Sequence, residues 1–210
     1  MLNKLFVFGD SIVYGKWDKT GGWVSRLRRY IDTKFNLSGK NNIQVYNLGI
    51  PGELLIQLPK RLRDELSARL VDPKDEVLVI TASGLNDSCF NNWRLGKQSS
   101  EKDFKRAIHD SIAVCNVFKT NMLFVGLTPV DSQKAKSCLG LNIQNDEVIK
   151  FDNYLSQITQ ITNVYKLETY DVLEGKNYKS TLIDGIHPNT KGHQMIAEIV
   201  IDYIATQHGI

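Results

Sequence analysis

The sequence predicts an α/β fold: a three-layer α/β/α sandwich around a five-stranded parallel sheet. Three observations predict it. Five short apolar runs rich in β-branched and aromatic residues lie at 5–8, 43–47, 77–81, 122–127 and 164–169. Such runs suit strands buried on both faces of a parallel sheet. Stretches with helical spacing separate them, and strand–helix alternation favours parallel strands joined by right-handed crossovers. No internal repeat, low-complexity tract or linker divides the chain, so residues 1–210 are expected to form one domain.

Each element has its own signal. The first run, Leu5-Phe6-Val7-Phe8, leads directly into Gly9-Asp10-Ser11. Trp23, Leu27 and Tyr30 then form a helical stripe. After the second run, Leu55, Leu58, Leu62 and Leu66 form another. Pro59 lies inside that stripe, so the helix either kinks there or its regular part begins near it. Phe104, Ile108, Ile112 and Cys115 precede the fourth run; Phe151, Leu155 and Ile158 precede the fifth. Met195, Ile199 and Tyr203, beside Ile196, Val200 and Ile204, line a last helix that also carries His193. Residues 131–141 read as a loop after the fourth strand.

Five strands suit the flavodoxin-like order 2-1-3-4-5. Ligands of such sheets bind beyond the strands' carboxyl ends, where the order reverses beside strand 1. Ser11 follows strand 1, Gly52 follows strand 2 and Asn86 follows strand 3, so all three belong at that crevice. His187 follows strand 5, farther along the sheet. Residues 170–187 can bridge the gap, since an extended chain reaches about 3.3 Å per residue.

Composition narrows the function. Of 210 residues, 42% are hydrophobic and 23% charged, an ordinary globular balance. The net charge of +3 is not gathered into a stripe. Arg26, Arg28 and Arg29, and likewise Lys60, Arg61 and Arg63, sit between apolar helix positions and read as solvated helix faces. No nucleic-acid partner is therefore expected. No window holds the ~18 apolar residues of a membrane helix, so no integral membrane segment is expected. The first apolar run is too short for a signal-peptide core, and a cytoplasmic protein is expected. Cys89, Cys115 and Cys138 are an odd count without metal-like spacing and read as buried or incidental thiols.

Chemistry concentrates at the two ends of the chain. Ser11 stands where a strand turns into a helix; Asp184 and His187 lie three residues apart ahead of the last helix. A serine hydroxyl is a poor nucleophile until a base takes its proton. An imidazole is a good base when a carboxylate fixes its tautomer and steadies its positive charge. The pattern points to serine-based acyl transfer. The plainer reading of Ser11 is a helix N-cap. Asp10 is expected to bond local backbone. A metal site of Asp184, His187 and His193 lacks a further ligand.

Gly9-Asp10-Ser11-Ile12-Val13-Tyr14-Gly15 resembles the first motif of the SGNH (GDSL) hydrolases, with isoleucine where leucine is usual. Asn47-Leu48-Gly49-Ile50-Pro51-Gly52 resembles the second, Gly84-Leu85-Asn86-Asp87 the third and Asp184-Gly185-Ile186-His187-Pro188 the last. All four occur in the family's order. The resemblance implies Ser11 as nucleophile, His187 as base and Asp184 as its orienting partner. It also implies an oxyanion hole of the Ser11 N–H, the Gly52 N–H and the Asn86 amide, with no cofactor and no metal. Physically, preorganised donors of this kind are typically worth ~10²–10³ in rate each.

Trp17, Phe90 and Trp93 follow these motifs and are expected to wall a substrate site, unless the tryptophans cap the core. The expected partner is a small-molecule ester; the oligomeric state is left open. An acyltransferase or a carbohydrate deacetylase would use the same residues. A flavodoxin-like ligand-binding module is disfavoured, because Ile12-Val13-Tyr14 follow the serine where a phosphate loop wants hydroxyls and glycines. A catalytically dead interaction protein would not need all four motifs.

Overall fold

The computed structural model describes residues 2–39, 41–90, 99–157, 161 and 163–210. Its sheet has five parallel strands in the order 2-1-3-4-5. β1 (Lys4–Gly9) is buried throughout, as a central strand between two helical layers must be. It leads into the single turn α1 (Ser11–Tyr14) and then α2 (Gly22–Ile31). β2 (Gln44–Gly49) is an edge strand and only half-buried, unlike the fully buried strand its apolar content suggested.

A 3₁₀ turn at Leu55–Gln57 precedes α3 (Leu58–Arg69). Pro59 therefore sits in the first turn of α3, where its missing N–H costs nothing and its fixed φ suits the helix. The conflict in the sequence resolves without a kink. Leu55, Leu58, Leu62 and Leu66 are all fully buried.

β3 (Val77–Ala82), α4 (Glu101–Val117) and β4 (Asn121–Val125) follow. β4 stops two residues short of the apolar run. The Leu127 N–H leaves the ladder and donates to Asp152 Oδ1 at 2.7 Å. Residues 131–141 are not a bare loop: they hold α5 (Ser132–Leu139), capped by the Asp131 side chain and ended by Gly140 in a left-handed conformation. Its apolar face is thin, with only Ala135 buried, which is why no stripe marked it.

α6 (Asn145–Ser156), the edge strand β5 (Val164–Leu167), α7 (Tyr170–Gly175) and α8 (Thr190–His208) complete the chain. Ile158 of the predicted α6 stripe lies outside the described residues. On α8, Ile196, Val200 and Ile204 are buried, while Met195, Ile199 and Tyr203 pack at the core's margin. α2 packs on α8 and α3 on α4.

Register places the site. Gly9 pairs with Gly49 of β2 and with Ala82 of β3, so three strands end level. The segments that follow them emerge side by side. Gly9 is required at this point: a Cβ there would lie 2.3 Å from the Ala82 carbonyl oxygen and 2.4 Å from Val13 Cγ2, and its φ is +154°.

Candidate active site

Ser11 is the first residue of α1, directly after the sharp exit from β1. Asp10 caps that turn, its Oδ1 accepting the Ile12 N–H at 2.9 Å. Asp10 thus bonds local backbone, as its place in the sequence suggests. α1 is only four residues long, so the amides of its first turn matter here more than any helix dipole.

The Ser11 Oγ lies 2.8 Å from His187 Nε2. His187 Nδ1 lies 2.7 Å from Asp184 Oδ2. All three residues are buried. The 170–187 connection carries α7 and a 3₁₀ turn at Tyr178–Thr181, and brings the imidazole back across the sheet to β1. The Asp184–His187 turn is closed by its own carboxylate. Asp184 Oδ1 accepts the N–H groups of Ile186 at 3.1 Å and His187 at 2.9 Å.

Burial pushes the Asp184 carboxyl up, but the hydrogen bonds from the His187 ring and backbone and from Trp17 outweigh it and hold the group well below the usual carboxylate range. Asp184 is therefore ionised throughout the range in which an imidazole titrates. With Asp184 as acceptor, His187 carries its proton on Nδ1 and leaves Nε2 free to accept from the serine. Such a chain can take a proton from a hydroxyl and return it to a leaving group.

Gly52 sits in the turn after β2 with φ +84° and open space where a Cβ would project. Conformation, and not crowding by protein atoms, calls for glycine there. Among the described residues its N–H has no hydrogen-bond partner. Asn86 follows β3. Its Nδ2 donates to the Glu53 carbonyl at 3.0 Å and reaches Asp10 Oδ2 at 3.4 Å. One amide hydrogen is thus anchored, while the other has only a long contact.

Two anchors were not legible as such. Arg61 and Arg26 belong to basic clusters that read as solvated helix faces. Arg28, Arg29, Lys60 and Arg63 are indeed exposed. Arg61, however, forms a two-pronged pair with the buried Glu53 at 2.7 and 2.6 Å and lies over the Phe8 ring. Arg26 is bound to Asp18 and also donates to the Gly22 carbonyl. A glutamate directly after the glycine turn, eight residues ahead of an arginine on the helix's inner side, was the available signal.

Asp10, Glu53 and Asp87 are three carboxyl groups buried under the site. Asp87 accepts the Leu55 N–H at 3.0 Å and the Ser99 hydroxyl. Burial, aided by the charges of Glu53 and Asp87 and opposed by the Ile12 N–H, pushes Asp10 up to about 7. Burial likewise raises Asp87 to about 6 against the Ser99 and Leu55 hydrogen bonds.

A carboxyl whose folded pKa exceeds its unfolded value near ~3.9 binds more protons when folded. Its contribution is complete below that value and is lost as pH rises through about 7. Wild-type Tm should therefore decline from pH 5 to 8, and decline less in Asp10→Asn. The asparagine Oδ1 can still cap Ile12, and any clash of its amide with Asn86 is independent of pH. Parallel Tm profiles for the two proteins would refute this.

Trp17 and Phe90, expected in the substrate wall, are both exposed, so Trp17 does not cap the core; that place belongs to Trp23. The Trp17 indole N–H also donates to Asp184 Oδ2 at 2.9 Å. Trp93 lies outside the described residues. His193 is on α8, its Nε2 3.1 Å from the Lys16 carbonyl, away from any shared metal geometry with His187. Among the described residues no group of three His, Cys, Asp or Glu side chains is placed to hold a metal ion. Cys89 and Cys115 are buried and Cys138 exposed. Burial pushes the Cys89 thiol up to about 11, far from a reactive thiolate. Among the described residues no helix is long and apolar enough to cross a membrane.

Solved structures share this architecture. A lipase/acylhydrolase from Enterococcus faecalis superposes with a TM-score of 0.74 at 20% identity, covering 98% of this chain and 97% of that one. Axe2, an acetylxylan esterase from Geobacillus stearothermophilus, gives 0.73 at 16% identity over 96% and 94%. LAE5, an alpha/beta hydrolase from the metagenome of Lake Arreo, Spain, gives 0.70 at 17% over 95% and 94%. At these identities the likeness shows the fold. A comparison with curated proteins gives no match. The family model of the GDSL-like lipase/acylhydrolases matches residues 5–200, almost the whole chain. The chain thus belongs to the GDSL-like lipase/acylhydrolase family and is a carboxylic ester hydrolase.

Proposed function

We propose that the chain hydrolyses small-molecule carboxylic esters through an acyl-enzyme on Ser11, without cofactor or metal. The observation that carries this reading is the continuous path from the Ser11 Oγ to His187 Nε2 at 2.8 Å and from His187 Nδ1 to Asp184 at 2.7 Å. Ser11 Oγ attacks the ester carbonyl carbon as its proton passes to His187 Nε2. The carbonyl π pair moves onto oxygen. Collapse of the tetrahedral intermediate breaks the bond to the alkoxy oxygen, which takes the proton from Nε2. Water then attacks the acyl-enzyme, yields its proton to the same nitrogen and releases the acid as Ser11 recovers its hydrogen.

The developing oxyanion would meet the Ser11 N–H, the Gly52 N–H and the second Asn86 hydrogen. The Glu53 carbonyl holds the Asn86 amide in place, so little reorganisation is needed at the moment of reaction. The exposed apolar side chains Trp17, Ile50 and Phe90 lie on the segments that follow β1, β2 and β3. They support an ester whose acyl or aryl part is apolar. A p-nitrophenyl ester panel from acetate to palmitate, run beside acetylated sugars, measures that preference. A fluorophosphonate probe should label Ser11; failure to form that adduct would refute the mechanism.

Asn86→Ala should lower kcat by roughly 10²–10³ and leave KM nearly unchanged, because the lost donor acts on the transition state. A KM effect alone would instead make Asn86 a ground-state contact. Gly52 offers no side chain to delete, so steady-state kinetics at Asn86 are the direct probe of this region.

A further inference from the structure

Residues 16–18 join the serine's segment to the Asp184–His187 turn and the first turns of α8 by one hydrogen bond each. The Lys16 carbonyl accepts from His193 Nε2 at 3.1 Å. The Trp17 indole N–H donates to Asp184 Oδ2 at 2.9 Å. Asp18 Oδ1 accepts from the Thr190 hydroxyl at 2.8 Å. Asp18 is itself fixed by the Gly22 N–H at 2.7 Å and by Arg26.

Asp184 accepts four hydrogen bonds, two on each oxygen, which fills its lone pairs. Three come from its own turn, through Ile186 N–H, His187 N–H and the His187 ring, and would move with that turn. Among the described residues only the Trp17 donor comes from the segment that carries Ser11. Core packing does not explain the tryptophan. The residue is 54% exposed, and its backbone holds φ +67°, an unfavourable conformation for a residue with a Cβ. The Asp184 bond is the contact that this geometry secures.

We propose that Trp17 is a positioning residue, whose indole N–H pins the Asp184 carboxylate to the nucleophile's segment and so sets the placement of His187 on the serine hydroxyl. This rests on the function proposed above. It gives Trp17 a second role beside walling the substrate, and the two roles are separable. Among the described residues the other ionisable groups around the pair include Asp10 beside the serine, Lys16, Asp18, Arg26 and His193 in this junction, and, at the start of α5 against Gly185, Asp131 and Lys134, whose ammonium is bound to the Leu182 carbonyl at 2.7 Å. Of these only Lys16 touches the indole, its ammonium 5.2 Å from the Trp17 ring centroid, and the benzothienyl ring keeps that aromatic face.

The test compares wild type with Trp17→Phe and with a variant carrying benzothienylalanine at position 17, in which sulfur replaces the N–H and the shape is kept. Hydrolysis of p-nitrophenyl acetate is followed against pH, and the His187 Nδ1 proton is followed by ¹H NMR without substrate. Freed from the indole, Asp184 Oδ2 binds the imidazolium more strongly. The rising limb of kcat/KM should therefore move to higher pH, and the Nδ1 proton resonance should move. Away from that limb kcat should fall about tenfold, the scale of one charge-assisted hydrogen bond, with KM within about twofold. A rise in KM alone, or an unchanged limb and resonance in both variants, overturns the proposal. If Trp17→Phe fails to fold, the sulfur variant decides. If the fluorophosphonate adduct does not form on Ser11 in wild type, the mechanism fails, while the NMR comparison still judges the Trp17–Asp184 link.

Discussion

Ser11→Ala is expected to abolish fluorophosphonate labelling and to lower kcat by a factor on the order of 10⁶, with little change in Tm. The oxygen removed is the atom that would form the covalent bond, so no neighbouring group replaces it. The side chain is buried and small, and it loses one hydrogen bond, to His187 at 2.8 Å. A typical intramolecular hydrogen bond is worth about 1 kcal/mol net, so the folded state should persist. A residual rate above that of water would reflect the donors at Ser11, Gly52 and Asn86, which survive the substitution. Undiminished labelling of the alanine variant would place the nucleophile elsewhere. Cys89 is not a ready substitute, because burial holds its thiol protonated.

The contrast between what the sequence conveyed and what it hid follows the range of the interactions. Strand order and the positions of Ser11, Gly52 and Asn86 were legible because each depends on a local signal, an apolar run followed by turn residues. Sheet register then brings the three segments together, since Gly9, Gly49 and Ala82 end level. Pro59 signalled either a kink or a helix start for the same reason, and it stands at the helix start. α5 was not, because a helix that buries only Ala135 leaves no periodic stripe. The early end of β4 was hidden because Asp152, far along the chain, captures the Leu127 N–H.

The buried ion pairs illustrate the same limit more sharply. Arg26 and Arg61 look like their exposed neighbours in composition. Only their turn-borne partners eight positions earlier, Asp18 and Glu53, draw them inward. The Trp17–Asp184 hydrogen bond spans 167 positions of sequence and has no local signature at either end. The segments that the sheet brings together could thus be found from pattern alone, while the contacts that hold those segments at fixed distances could not.

His187→Ala and Asp184→Asn should both be severe and should be unequal. His187→Ala removes the base outright and should cost kcat about as much as Ser11→Ala, a factor on the order of 10⁶. Asp184→Asn keeps an imidazole beside the serine but corrupts its tautomer. If the asparagine oxygen takes over the N–H groups of Ile186 and His187, its amide nitrogen meets two donors, His187 Nδ1 and the Trp17 indole. The imidazole relieves the clash by carrying its hydrogen on Nε2, where it donates toward Ser11 and can no longer accept the serine proton. A loss of roughly 10⁴ is expected from that tautomer error. Since Asp184 in the wild type stays ionised through the acid range, loss of wild-type activity on acidification should report protonation of the imidazole, and that dependence should vanish in His187→Ala. Residues that act as one unit do not contribute independently, so the double variant should be little worse than His187→Ala alone. The check is kcat for all four proteins on one ester, with Tm measured alongside to exclude unfolding. Fully additive losses, or a pH profile unchanged by replacing His187, would mean that the 2.7 Å contact between Asp184 and His187 is structural and that another base serves Ser11.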